Sequence, residues 1–192
     1  MKLGELFTKY GTDKNVNGYT PYYDTIFKNM RDKPIDFLEL GIGTLFNNVV
    51  GSMKKYCLEG YKQGGSLRAW RDYFPNGNIV GFDIQPDTQF TDERITTGLG
   101  DSTSKEQLDN FLKDRTFDII LDDGSHYDEH QLAAFKHLWH RVRPFGFYII
   151  EDLVHWSRIN LEFLPIIKEI VGDTAYIFHS ENKNILFISK NE

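Results

Sequence analysis

The sequence predicts an α/β protein built on a doubly wound, mostly parallel sheet of seven strands that closes on a C-terminal antiparallel hairpin. Three observations predict it. Five short runs rich in Ile, Val, Leu and Phe are near-continuously apolar, as strands covered on both faces are. Amphipathic stretches lie between them, the alternation that right-handed βαβ units produce. After the fifth run the pattern changes to two strand-like segments joined by a short polar turn, which marks a hairpin.

The strand runs in order are PIDFLEL (34–40), NIVGFDI (78–84), RITTGLG (94–100), FDIILDD (117–123) and FGFYIIED (145–152). SLRAWRDYF (66–74) sets Leu67, Trp70 and Phe74 at i, i+3 and i+7 behind Ser66, a residue suited to an N-cap. SKEQLDNFLKD (104–114) brings Leu108, Phe111 and Leu112 together, again behind a serine. DEHQLAAFKHLWHRV (128–142) carries Leu132, Phe135, Trp139 and Val142, and the RPFG after it is expected to stop the helix and start the next strand. Trp70 and Trp139 read as core. NLEFLPIIKEIV is the last amphipathic run, followed by TAYIFHS and KNILFISK with ENK as their turn.

Two segments fall outside this rhythm. Residues 1–33 read as a cap of two short helices around the turn-rich YGTDKNVNGYTPYY. TLFNNVVGSMKKYCLEGYKQGG (44–65) is long for a βα connection, where roughly 2–6 residues are usual, and is expected to be a lid or binding element.

At 192 residues the chain is expected to form one domain, 1–192, large enough to bury about 70% of its unfolded surface. A net charge of -6 argues against a general nucleic-acid binder, whose footprint is basic. Cys57 is the only cysteine, which excludes an internal disulfide and a cysteine zinc cluster. MKLGELFTKYGTDK lacks the apolar core of a signal peptide, and no apolar run approaches the roughly 20 residues that span a bilayer. The expectation is a cytoplasmic protein with no membrane or nucleic-acid partner, homo-oligomerisation being left open.

The strand ends carry the polar residues. LELGIGT places Glu39, Gly41 and Gly43 after the first strand, at the carboxyl edge where such sheets bind ligands. A dinucleotide fingerprint needs a third glycine where Phe46 stands, so ligand loop and plain tight turn both remain open. Asp83 ends the second strand, where a carboxylate can accept both ribose hydroxyls of a nucleoside or else cap the next turn. Asp101, in GDS after the third strand, is placed to meet an adenine amino group.

Strands four and five end in Asp122-Asp123 and Glu151-Asp152. Neighbouring strands would set these carboxylates side by side, where they repel unless a cation such as magnesium binds. The alternative is that one acid of each pair caps the following helix. Asp122 either turns toward a cofactor or holds the loop. His126, three residues past Asp123, can take a proton from a metal-held hydroxyl, or it can merely brace the DDGS turn. His126 and His130 have the spacing of a zinc pair only if both are helical, against which Gly124-Ser125 argue. His137 and His140 belong to the solvated flank of their helix, and His155 touches an acceptor or packs beside Trp156. Lys14 and Tyr19 are expected at the cofactor or the acceptor, tyrosine being suited to the wall of a sugar pocket. In the other reading, the same N-terminal residues pin their helices to the sheet.

ELGIG, FDI, GDS and the closing hairpin resemble class I S-adenosylmethionine-dependent methyltransferases. More narrowly, YGTDK…YTPYY, GGSLRAWRDYFP, DIILDDGSH and YIIEDL resemble the methyltransferase domain of mycinamicin-type macrolide-sugar O-methyltransferases, from about Leu3 to Leu153. The resemblance implies a Rossmann-like class I methyltransferase fold. It implies S-adenosylmethionine held by Glu39, Gly41, Gly43, Asp83 and Asp101; Ser66, Ile84, Ser102, Asp122, Lys14 and Tyr19 are further candidates for cofactor contact. It also implies a divalent metal, usually Mg2+, on Asp123, Glu151 and Asp152, with His126 as the base. Asn17-Gly18 precede Tyr19 where the family carries a histidine, and 44–65 looks unlike the family, so the acceptor does not carry over.

The expected function is metal-dependent O-methylation of a sugar or a sugar-containing natural product. A catechol-type small-molecule O-methyltransferase would use the same chelation. An NAD-dependent oxidoreductase would share the fold, but the missing third glycine and the hairpin count against it. A non-catalytic nucleotide-binding module would leave both acid pairs idle.

Overall fold

The structure, a computed structural model, describes residues 1–49, 52–153, 159–180 and 184–192. Two helices, α1 (Leu3–Lys9) and α2 (Thr20–Phe27), precede β1 (Asp36–Leu40). Then follow α3 (Gly65–Tyr73), β2 (Asn78–Asp83), β3 (Thr91–Asp92), β4 (Ile95–Leu99), α4 (Lys105–Leu112) and β5 (Phe117–Asp122). The remainder is α5 (Asp128–Leu138), β6 (Val142–Ile150), a π-helical turn (Ile159–Phe163), α6 (Leu164–Val171), β7 (Ala175–Ser180) and β8 (Ile185–Lys190). The expected ENK turn (181–183), and the expected positions of His155 and Trp156, lie outside the described residues.

One sheet runs in the order β3-β4-β2-β1-β5-β6-β8-β7. The five expected strands are parallel to one another, and β8 pairs antiparallel with both β6 and β7. This is the expected doubly wound fold with one addition. The two-residue β3 pairs antiparallel on β4 at the sheet edge and raises seven strands to eight. Strand order reverses between β1 and β5, and ligands of such sheets bind in the crevice at the carboxyl ends there.

Each sheet face is covered, as the continuous apolar runs require. On one face Leu108, Leu112, Phe135, Leu138 and Ile167 pack with Leu38, Ile120 and Tyr148 of the strands. On the other, α1, α2 and α3 form an aromatic cluster. Trp70 stacks on Phe37 with centroids 4.9 Å apart and takes Phe7 and Tyr23 edge-on at 5.0 and 5.2 Å. Such pairs add about 0.5–1.5 kcal/mol each beyond area burial, which fixes the N-terminal helices against the sheet.

Local boundaries depart from expectation in two places. Ser66 is not the N-cap of α3; Gly64 is, at φ 69. The cap thus lies two residues earlier than expected and Ser66 is buried in the first turn, while the Phe90 ring, 2.3 Å from where a Gly64 Cβ would lie, leaves no room for a side chain at the cap. α5 stops at Leu138, a 3-10 turn spans Trp139–Arg141, and Val142 already belongs to β6. The RPFG stretch therefore lies inside a strand. Phe117 pairs with Val142 but Ile119 pairs with Phe147, so Arg143–Gly146 bulge out of the ladder and Pro144 forfeits no ladder bond. Ser104 does cap α4, accepting from the Gln107 amide at 3.4 Å. Among the described residues no helix is long and apolar enough to cross a membrane.

Candidate active site

β1 leaves the sheet through Gly41, at φ 84. A Cβ there would come within 2.0 Å of the Asp123 carbonyl oxygen, so the absence of a side chain lets the β1 exit touch the loop after β5. Gly43, at φ 87, faces the side chain of Met53, where 44–65 folds back across the turn. Asp83 braces the same turn. Its Oδ2 accepts from the Ile42 amide (2.7 Å) and the Gly43 amide (3.2 Å), and its Oδ1 accepts from the Gln85 amide (2.8 Å).

Glu39 is fully buried, and neither of its oxygens completes a hydrogen bond. Burial pushes its pKa up to about 7, against the pull of the Lys14 ammonium 3.4 Å away. Ser66 is buried close to it. Ile84 and Leu99, at the ends of β2 and β4, are 59% and 54% exposed, which leaves apolar surface at the same edge.

Because β5 and β6 are neighbours, the two acid pairs do emerge together, the Glu151 amide donating to the Asp122 carbonyl at 3.0 Å. One carboxylate oxygen each of Asp123 and Asp152 and one ring nitrogen of His126 lie within 4.8 Å of one another. His126 Nε2 is 3.9 Å from Asp152 Oδ2. His126 (φ 60) and Asp152 (φ 53) both occupy left-handed backbone, which non-glycine residues adopt uncommonly. His126 Nδ1 is buried without a hydrogen-bond partner.

The third acid of the expected metal set stands apart. Lys14 Nζ donates to Glu151 Oε2 (2.5 Å) and to Asp123 Oδ2 (2.6 Å), and the Tyr23 hydroxyl donates to Glu151 Oε1. Each Glu151 oxygen is thus engaged. The Tyr19 hydroxyl donates to Asp152 Oδ1. Lys14 is 2% exposed. Burial works against its charge, but Asp123, Glu151 and Glu39 outweigh that and hold its pKa well above the ordinary value. Lys14 and Tyr19 therefore sit on the carboxylates at the ends of β5 and β6. Tyr23 was not foreseen, although Tyr19 and Tyr23 at i, i+4 around a helix start were a signal that both hydroxyls share a face.

The remaining residues resolve one by one. Asp122 holds the loop: it accepts from the Gly124 amide (3.3 Å) and from the Tyr148 hydroxyl (3.4 Å), and burial raises its pKa to about 7. Asp101, expected at an adenine, accepts from the amide and hydroxyl of Thr103, both at 2.8 Å, with Ser102 half-buried beside it. His126 precedes α5, and His130 Nδ1 lies 2.8 Å from Ser125 Oγ, so the two histidines form no zinc pair. His137 contacts the Thr103 carbonyl at 3.2 Å, and His140 is exposed. Asp87 carried no expectation, yet it accepts from Thr44 Oγ1 (2.6 Å), the Leu45 amide (2.9 Å) and Gln63 Nε2 (3.1 Å). It therefore ties both ends of 44–65 to the turn after β2.

The donors suit the expected groups. Asp123 and Asp152 offer the hard oxygen ligands that magnesium prefers, while the orphaned Glu39 carboxylate and His126 Nδ1 leave polar groups for a ligand to meet.

No family model matches the sequence. The chain is 37% identical over 188 residues to demethylmacrocin O-methyltransferase of Streptomyces fradiae, covering 91% of this chain and 45% of that protein. It is also 37% identical over 158 residues to mycinamicin VI 2''-O-methyltransferase of Micromonospora griseorubida, covering 79% of this chain and 36% of the relative. MycE methyltransferase from the mycinamycin biosynthetic pathway, solved with Mg, SAH and mycinamycin VI, superposes over all of this chain and 55% of its own. The TM-score is 0.79 and the identity 29%. The chain thus spans about half the length, or less, of these relatives.

Proposed function

Given that the chain has the class I methyltransferase fold and resembles mycinamicin-type sugar O-methyltransferases, we propose that it transfers a methyl group from S-adenosylmethionine to a hydroxyl of a sugar or glycoside, with a divalent cation. The observation that carries this reading is the convergence of Asp123, His126 and Asp152 at the carboxyl ends of adjacent parallel strands.

When bound, S-adenosylmethionine supplies an electrophilic methyl and the cation supplies a Lewis acid that lowers the pKa of a chelated hydroxyl. The chain's own residues do the rest. Asp83 holds the glycine turn in shape for close approach, and the buried Glu39, paired only loosely with Lys14 at 3.4 Å, keeps acceptor capacity for the cofactor's polar end. Ile84 gives an apolar surface for a base to rest on. Asp123 and Asp152 would hold the cation, each with one oxygen free of the N-terminal segment, and Glu151, whose two oxygens accept from Lys14 and Tyr23, would lie beside them.

His126 is placed to take the acceptor's hydroxyl proton at Nε2, which lies 3.9 Å from Asp152 Oδ2 and so beside the carboxylates that would hold the cation. Removing the base leaves positioning and metal intact, so His126→Ala should cut methyl transfer by about 10²–10⁴-fold while S-adenosylmethionine and Mn2+ still bind. Calorimetry of that variant separates the roles. Retained turnover would remove the base, and a lost Mn2+ site would make His126 a ligand instead. Turnover indifferent to EDTA would remove the metal.

A further inference from the structure

Lys14, Tyr19 and Tyr23 come from one N-terminal stretch, yet each reaches an acid at the far edge of the sheet. Tyr19 takes Oδ1 of Asp152 and leaves Oδ2 turned toward His126. Lys14 takes Oδ2 of Asp123, and Oδ1 of that residue carries no hydrogen bond among the described residues. Glu151 has one oxygen on Tyr23 and the other on Lys14. The pattern is selective: one oxygen of each aspartate is held and its partner is left over. A hydrogen bond to one oxygen biases a carboxylate's rotation about its terminal bond and so orients the oxygen left over.

We propose that Lys14, Tyr19 and Tyr23 are positioning residues for the cation site, Lys14 and Tyr19 setting which oxygen of Asp123 and of Asp152 faces the metal, and Tyr23 with Lys14 holding Glu151 in place beside them. The N-terminal segment is then part of the site and not merely a cap over it. The tyrosine rings have contacts apart from their hydroxyls: Tyr23 stacks on Phe27 with centroids 5.4 Å apart and meets Trp70 edge-on, and the buried Tyr19 ring meets Tyr23 edge-on at 6.5 Å. Removing a hydroxyl alone should therefore leave the segment docked while releasing the acid. Partners that orient metal ligands in this way are typically worth about 10–100-fold in metal affinity.

The inference rests on the metal reading above, and the experiment separates the two. Mn2+ binding to the full chain is measured by calorimetry and by the electron paramagnetic resonance spectrum of the bound ion, for the wild type, Tyr19→Phe and Tyr23→Phe. Melting in EDTA monitors the fold. Tyr19→Phe should weaken Mn2+ about tenfold and broaden the bound-ion spectrum. S-adenosylmethionine affinity should hold within about twofold, and lost turnover should return as Mg2+ is raised. Tyr23→Phe should act in the same direction. Unchanged Mn2+ affinity and spectrum in both variants, whatever their melting temperatures, overturns the positioning role alone. A wild type that binds no Mn2+ overturns the metal reading and this inference with it.

Discussion

At Gly41 the backbone does two things that a side chain forbids: it adopts φ 84, and it passes within 2.0 Å, measured from a virtual Cβ, of the Asp123 carbonyl oxygen. A methyl group there meets backbone, which cannot swing aside as a side chain can. Gly41→Ala should therefore cost roughly 2–4 kcal/mol in urea denaturation, and what folds should transfer methyl poorly, because the displaced loop carries Asp123 and His126. Gly43 is the comparison. Its virtual Cβ meets Met53 Cγ at 2.4 Å, a clash that a rotamer change of Met53 can relieve, so Gly43→Ala should cost backbone strain plus that repacking, roughly 1–2 kcal/mol and less than Gly41→Ala. Equal losses in the two variants would show that the Gly41 contact is not specific. The sequence made both glycines legible as a turn, but it could not rank them. The difference lies in what stands opposite, a backbone atom 82 residues away in one case and the folded-back 44–65 segment in the other.

Between elements, the N-terminal helices are held by a polar tie as well as by aromatic packing. Asp72 of α3 accepts from Lys9 (2.9 Å) and Tyr10 (2.6 Å) at the end of α1, and from Arg71 (2.8 Å). Partial burial would raise the Asp72 pKa, but these donors outweigh it and bring it down from 3.8 to about 2. A depressed carboxylate pKa gives stability that is present above the unfolded value and fades as pH falls through the folded one. Asp72→Asn should thus cost about 1–2 kcal/mol near neutral pH, after allowance for solvent screening. The gap from wild type should narrow as pH drops from about 4 toward 2. Urea midpoints across that range test it, and a gap that stays constant with pH would reject the ionic tie. Strands and helices were legible because their apolar periods are local. The clamps of α2 on the acids were not: Tyr23 meets Glu151 across 128 residues, and no local pattern encodes that pairing. At Asp101 the donors that the structure shows are local instead, the amide and hydroxyl of Thr103 on one carboxylate oxygen, so its partners follow from the turn sequence itself.

Over the whole molecule, sheet topology turns scattered acids into a site. The order β4-β2-β1-β5-β6 brings the ends of five parallel strands to one edge, with the reversal between β1 and β5 beside Gly41 and Asp123. That much follows from alternating strands and helices together with the right-handed crossover rule, which is why Asp83, Asp123 and the Glu151-Asp152 pair were legible. The same edge would serve a dinucleotide, so the fold alone does not choose the ligand. The glycine turn does: Phe46 stands where the pyrophosphate loop needs its third glycine. A ligand that binds only the folded chain raises stability by about 2.7 kcal/mol at a hundred times its Kd. For a chain of this size that is roughly 5–11 °C in melting temperature. S-adenosylhomocysteine at that excess should produce such a shift, and millimolar NAD should produce none. A shift with NAD and none with S-adenosylhomocysteine would mean that the orphaned Glu39 and the glycine turn serve a different ligand, and methyl transfer would have to be given up.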